Sequence, residues 1–169
     1  MHQLKDIFDR ITETYETPVR IGGRCEANIF YRAEDLKAEE IEICAGCIAE
    51  RIINVCSPTL PTVLVNMKGD DTGLAKILAR ELAPPGEVLE VIEENTLTST
   101  GESSKQLKGA NVIIVNDVIT TGRSCLEAHS RLTVMGASVL CWAALIDRTF
   151  GPGPVSVVAA FTGAPVNLL

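Results

Sequence analysis

Aromatic side chains make up only 4% of the 169 residues, too few rings to build a stacking platform for single-stranded nucleic acid. Positive charge is also short, with 15 Lys and Arg against 22 Asp and Glu and a formal net charge of −7. That balance disfavours a nucleic-acid coat and a basic patch for a membrane surface. No apolar run approaches the roughly 18 residues needed to cross a bilayer, and residues 1–9 lack the basic stretch that would open a secretory signal. Walker A and GxGxxG patterns are both missing, so the usual nucleotide-binding loops have no residues to rest on. These gaps lead to the expectation of a cytoplasmic protein that takes a small-molecule ligand, not nucleic acid and not a membrane.

What is present fits one globular domain. Hydrophobic residues reach 46% and charged residues 22%, enough apolar surface for a sizeable core. Six cysteines (Cys25, Cys44, Cys47, Cys56, Cys125 and Cys141) suit reduced thiols in a cytosol better than a disulfide framework. Cys44 and Cys47 form a CxxC, yet a zinc site wants four ligands and no second pair follows. On a helical stretch such residues share a face and pack as small hydrophobes. Buried thiols are the first reading of the pair, and a metal or redox role stays open beside it.

Residues 4–15 carry Leu4, Ile7, Phe8 and Ile11 at helical spacing and predict an amphipathic helix packed on something larger. Gly22-Gly23 breaks that pattern ahead of a short strand at 28–31, and a helix is expected over 38–55. An apolar strand at 62–66 leads through Lys68-Gly-Asp-Asp-Thr-Gly73 into a helix at 74–82. A strand at 88–92 is followed by 93–108, which is polar, without apolar period, and expected as one long loop of the kind that forms lids. Residues 111–115 are the most strand-like of all, then a turn, a helix to about 135, and strands at 138–146 and 155–161. Alternating strands and helices without repeats predict an α/β fold with a mainly parallel central sheet flanked by helices. The division expected is a single domain, with 1–35 as N-terminal helix and hood and 36–169 as core. In such sheets ligands lie beyond the carboxyl ends of the strands.

Val112-Ile-Ile-Val-Asn-Asp-Val-Ile-Thr-Thr-Gly-Arg-Ser124 is a buried strand that stops at a polar pair and turns through small hydroxylated residues into a helix. Free N–H groups at a helix start, hydroxyls from Thr120, Thr121 and Ser124, and a glycine that permits close approach form a cradle for a phosphate monoester. Asn116 and Asp117 at the strand tip can hydrogen-bond sugar hydroxyls.

This stretch resembles the thirteen-residue signature of the type I phosphoribosyltransferases: four apolar residues, an acidic pair, then a Val-Ile-Thr-Thr-Gly turn. Leu126-Glu-Ala128, Gly136-Ala-Ser-Val139 and Leu145-Ile-Asp-Arg148 are similar to the orotate branch of that family. Gly22-Gly-Arg-Cys-Glu-Ala-Asn-Ile-Phe-Tyr31 is similar, more loosely, to its hood. The resemblance implies transfer of 5-phosphoribosyl from phosphoribosyl pyrophosphate to a nucleobase, orotate first, with release of pyrophosphate. It implies that Asp117 and Asn116 hold the ribose hydroxyls, that Thr120, Thr121, Gly122, Arg123 and Ser124 wrap the 5′-phosphate, and that Val118 and Ile119 belong to the same substrate-binding stretch. Lys68, Gly69, Asp70, Asp71 and Thr72 would form the pyrophosphate turn, and Arg148 would meet the polar edge of the base. Mg²⁺, bound mainly through phosphoribosyl pyrophosphate, and a homodimer are implied as well.

Two positions depart from the family. Residue 116 is Asn where the signature carries an acid, leaving Asp117 to steady a developing sugar cation alone. Residues 93–102 hold no basic residue where the orotate branch carries several. This supports an alternative, a catalytically weak sensor or regulator that binds phosphoribosyl pyrophosphate or a nucleotide. A purine-specific transferase is a third reading, which an Arg148 facing the base would disfavour. Residue by residue, Lys68 could equally be a solvated turn cation, Arg148 a partner of Asp147 or Glu127, His129 a packed or exposed helix residue, and Trp142 core or dimer interface.

Overall fold

The computed structural model describes residues 2–21, 25–56, 61–69, 72–97, 102–149 and 153–168. Chain order is α1 (His2–Arg10), β1 (Thr12–Ile21), β2 (Cys25–Tyr31), a 3-10 turn (Ala33–Asp35), α2 (Ala38–Cys56), β3 (Val63–Asn66), α3 (Leu74–Glu81) and β4 (Glu90–Glu93). A second 3-10 turn (Glu94–Thr96) follows, then α4 (Glu102–Leu107), β5 (Asn111–Ile119), α5 (Arg123–Val134), β6 (Ser138–Asp147), β7 (Val157–Thr162) and β8 (Asn167–Leu168).

Five strands form a parallel sheet in the order β4-β3-β5-β6-β7, as the alternation of elements predicts. Alternate residues of its central strands feed two separate cores, because successive side chains of a strand point to opposite faces. Leu64, Ile113, Val115, Cys141, Ala143 and Leu145 pack beneath α1, α2 and α3. Val63, Val65, Val112, Ile114, Trp142 and Ala144 pack beneath α4 and α5. Trp142 therefore belongs to the core. The chain runs from β3 outward to β4 and returns to place β5 on the other side of β3, so the strand order reverses between β3 and β5. A crevice at the carboxyl ends of the strands opens at such a point.

The N-terminal segment differs from its expected form. The helix ends at Arg10, and Thr12–Ile21 is a strand paired antiparallel with β2. The Thr12 hydroxyl donates to the Phe8 carbonyl at 2.5 Å, and β-branched Thr residues alternating with Glu and Tyr favour extended backbone over another helical turn. The α1 helix does pack on something larger, stacking Phe8 on Phe161 with centroids 4.6 Å apart. The hood is a three-stranded sheet in the order β1-β2-β8, so its last strand comes from the C-terminal end rather than from residues 1–35. The Gly22-Gly23 break lies outside the described residues.

The segment 93–108 is also not one long loop. Leu97 and Leu107 are buried, and α4 occupies its second half. Arg131 of α5 pairs with Glu94 and donates to the Leu97 carbonyl at 2.7 Å. Residues 98–101 lie outside the described residues.

Cysteines are free thiols. Burial pushes Cys44 and Cys125 up to about 12, and burial beside Cys56, whose sulfur lies 4.0 Å away, raises Cys141 further. Cys25 sits instead with Ala27 and Val166 under the hood, so neither it nor Cys56 completes a site with Cys44 and Cys47. Among the described residues no group of three His, Cys, Asp or Glu is arranged to hold a metal ion, and no described helix is long and apolar enough to cross a membrane.

Two outcomes follow from this packing. Native protein treated with a thiol-specific reagent should label at the half-buried Cys47 first, with the other five reacting only on unfolding; fast labelling of Cys44 would contradict the burial. Ile114→Ala, emptying a fully buried site between β5 and α5, should lower stability by about 3 kcal/mol in urea denaturation, whereas Val134→Ala at an exposed position should change it by less than about 0.5 kcal/mol.

Candidate active site

The β3 strand ends at Asn66, opposite Val115. Beyond that point β5 runs on to Ile119 paired, among the described residues, with β6, and the Met67 amide closes the shared edge with a bond to the Val115 carbonyl at 2.9 Å. Asn116 and Asp117 are thus still strand residues, not a tip, on a part of β5 that runs past the end of β3. The Val118 amide donates to Asp117 Oδ1 at 2.6 Å, and Asn116 Nδ2 donates to the Val118 carbonyl at 3.2 Å. Both side chains are half-buried.

The two helices that start beside this edge, α3 and α5, each begin after a left-handed glycine, Gly73 and Gly122, and neither carries a side-chain cap on that residue. The first N–H groups of a helix have no intrahelical partner and can receive an anion. The nearest competitors are long contacts, Leu74 N to Thr72 Oγ1 at 3.3 Å and Arg123 N to Thr121 Oγ1 at 3.4 Å. Gly122 has φ +71°, and a Cβ there would stand 3.0 Å from Trp142 Cζ3. The turn over residues 120–122 therefore rests directly on the indole, which His129 meets edge-on with centroids 6.3 Å apart. Burial holds the His129 imidazole below its ordinary pKa, so it belongs to the packing under the turn. Neither Trp142 nor His129 had a sequence signal for this position, since both contacts come from β6 and α5 crossing in space.

A cavity of about 550 Å³ has Asp117, Gly69, Thr72, Ile77, Glu34 and Glu42 among its described lining residues. The structure thus brings Asp117 together with the turn after β3. Thr120, Thr121, Gly122, Arg123 and Ser124 follow along the helix start, with Ile119 buried beneath them and Val118 half-buried. Arg123 and Ser124 are exposed, and Arg123 pairs with Glu127 at 2.9 Å. Lys68 is exposed and next to the cavity-lining Gly69. Asp70 and Asp71 lie outside the described residues.

Arg148 is not the ion-pair partner that the sequence offers as its alternative role. It is only 2% exposed, is not among the described residues that line this cavity, and has no ion pair with Asp147 or Glu127 among the described residues. Its Nε donates to the Ala164 carbonyl at 2.6 Å and its Nη2 to the Ile29 carbonyl at 3.0 Å, while the guanidinium lies 5.2 Å from the Tyr31 ring centroid. Tyr31 Oη accepts the Ala164 amide at 2.8 Å. Burial lowers the Arg148 pKa, and the two carbonyls with the ring face take the place of a carboxylate partner. Glu34 and Glu42, which line the cavity with Asp117, were missed by sequence reasoning because nothing in their local spacing marks them.

Gly122→Ala should force the turn off the indole. Loss of phosphate-ester binding with a shift in the emission of Trp142, the chain's single tryptophan, is the expected result in a fluorescence titration; unchanged binding would remove the turn from the site.

No family model matches the chain. Over 50 residues, 30% of this chain and 26% of the relative, it is 46% identical to the orotate phosphoribosyltransferase of Bartonella henselae; the match thus spans little more than a quarter of that protein's length. Two solved structures align far more extensively at low identity. The orotate phosphoribosyltransferase of Aeropyrum pernix matches with a TM-score of 0.65 at 18% identity, covering 94% of this chain and 93% of that one. An adenine phosphoribosyltransferase from Trypanosoma brucei, solved with AMP, pyrophosphate and ribose-5-phosphate, matches with a TM-score of 0.66 at 16% identity, covering 94% and 79%.

Proposed function

We propose that this chain, which has the phosphoribosyltransferase fold, transfers a 5-phosphoribosyl group from phosphoribosyl pyrophosphate to a nucleobase and releases pyrophosphate. One observation carries the reading: Asp117 faces a cavity at the reversal point of the sheet, directly ahead of a glycine turn that opens an uncapped helix. Orotate is the acceptor named for the relative matched over 50 residues and the first to try. Nothing in the structure favours the sensor alternative over transfer.

In this reading the 5′-phosphate sits on the 120–124 turn, where backbone N–H groups and the hydroxyls of Thr120, Thr121 and Ser124 donate to its oxygens. Asp117 and Asn116 accept from the ribose hydroxyls. The anomeric C–O bond to pyrophosphate lengthens as a base nitrogen forms the new C–N bond, and positive charge builds on the sugar. Asp117, its Oδ1 already fixed by the Val118 amide, presents the negative charge that this state needs, without reorganising. Asn116 contributes a dipole only. Lys68 and the turn that includes Gly69, Asp70, Asp71 and Thr72 are the pyrophosphate side of the reading.

Mg²⁺ fits this site as a passenger rather than as a resident ion, because one signature carboxylate offers too few oxygens for a protein cage and the pyrophosphate and ribose hydroxyls supply the rest. When bound, it would neutralise the leaving pyrophosphate. A homodimer is part of the same proposal, by analogy with the family.

The test is pyrophosphate release from phosphoribosyl pyrophosphate with Mg²⁺ and a panel of bases, against a no-base control. Base-dependent release is expected from the wild type. Asp117→Asn keeps an acceptor for the Val118 amide but removes the charge, and should lower kcat by about a hundredfold; an unaffected kcat would end the assignment of Asp117.

A further inference from the structure

We propose that Asp147 and Thr149 are positioning residues for the 120–122 turn, and that they act on the binding of the sugar phosphate rather than on the transfer step. The inference rests on the phosphate role proposed above for that turn, and names two residues outside the signature stretch that hold it in shape.

The ends of β5 and β6 leave the sheet side by side. Ile119 and Asp147 are register partners, and the Arg148 amide donates to the Ile119 carbonyl at 2.8 Å, one residue before the turn begins. Asp147 is held from its other side as well, where its carbonyl accepts the Gly163 amide at 2.7 Å. With its backbone fixed by both neighbouring segments, its carboxylate bonds along its own chain. Oδ1 accepts from the Thr149 amide at 2.8 Å and from the Thr149 hydroxyl at 2.7 Å. The first bond fixes the backbone at residue 149, and the second, because a β-branched side chain has few χ1 choices, fixes the threonine rotamer. The hydroxyl is committed to Asp147, so the methyl is what Thr149 offers to the turn.

That methyl lies beside Gly122. A Cβ on Gly122, which has φ +71°, would meet Trp142 Cζ3 at 3.0 Å and Thr149 Cγ2 at 3.7 Å. The two contacts differ in what secures them. The indole is fixed by burial in the core, whereas Thr149 is half-buried and owes its orientation to Asp147. Removing the carboxylate takes the shared acceptor from the Thr149 amide and hydroxyl and lets the methyl rotate off the glycine. The turn then has more conformations to sample, and a phosphate that needs several N–H groups converging at once binds less tightly. A group held equally in the ground and transition states contributes to KM and not to kcat, so the loss falls on affinity.

The probe is ribose 5-phosphate, titrated against the emission of Trp142 in the wild type, Asp147→Ala, Asp147→Asn and Thr149→Ser, with kcat and both KM values measured beside it and a thermal melt to check folding. Expected is a Kd for ribose 5-phosphate raised about fivefold in Asp147→Ala and in Thr149→Ser. KM for phosphoribosyl pyrophosphate should rise in step, while kcat and KM for the base stay within about twofold of the wild type. Asp147→Asn, whose side-chain oxygen still accepts both Thr149 bonds, should recover most of the affinity. An unchanged Kd in Asp147→Ala, or an Asp147→Asn as weak as Asp147→Ala, overturns the inference and leaves phosphoribosyl transfer standing. Should Asp147→Ala fail to fold, Thr149→Ser decides, since it removes one methyl from a half-buried position, and an unchanged Kd there overturns the inference. The expected pattern of Kd without pyrophosphate release with any base overturns the transfer reading alone, whereas a folded wild type that does not bind ribose 5-phosphate overturns the inference together with the phosphate role of the turn.

Discussion

β5 is the strand on which the rest of the molecule depends, because it is buried on both faces and longer than its neighbour β3. Over Val112–Val115 it is a full sheet strand, feeding Ile113 and Val115 to one core and Val112 and Ile114 to the other. Past Asn66 it loses its partner on the β3 side while keeping β6. Hydrophobic burial over its first half anchors the second half, so Asn116 and Asp117 are carried on backbone that extends past the end of β3. The carboxylate proposed to act on the sugar is thus carried by a strand anchored in two cores, the kind of support that electrostatic help to a charged transition state needs.

The same logic applies to the turn after β5. Gly122 takes a left-handed conformation that only a residue without Cβ adopts comfortably, and it does so in contact with Trp142. The indole comes from β6, and His129 from the helix that the turn begins, so the loop, its helix and the neighbouring strand brace one another. The turn proposed to hold a phosphate is thus shaped by the core under it as much as by its own residues.

Arg148 shows how a cation can be drawn into structure. At the end of β6 its backbone amide bonds to the Ile119 carbonyl, and its side chain reaches the hood strand β2 and the chain leading to β8. The hood is small and has few buried residues of its own, Cys25, Ala27 and Val166 with Ile21 beside them. A guanidinium bonded to carbonyls of both segments, and covered by Tyr31, ties this minor sheet to the main one. A buried charge with two acceptors is costly to remove from its partners, which makes Arg148 a firm tie between the two sheets.

Much of the architecture was legible in the residues themselves. The 3.6-residue period gave α2 and α3 close to their observed bounds, the apolar runs gave β3 and β5, and the string from Val112 to Ser124 pointed to a phosphate cradle, since strand burial, glycine freedom and helix-start chemistry are local properties. Local signals failed where two states were close in free energy: Thr12–Ile21 follows an amphipathic helix, and only pairing with β2 makes it a strand, while α4 is short and polar and owes its place to the buried Leu107. The tertiary structure alone decided that Arg148 bonds the Ala164 and Ile29 carbonyls, that Trp142 supports Gly122, and that Glu34 and Glu42 line one cavity with Asp117. Each depends on distances between segments far apart in the chain, and a sequence fixes which side chains are available but not which of several competing partners reaches them first in space.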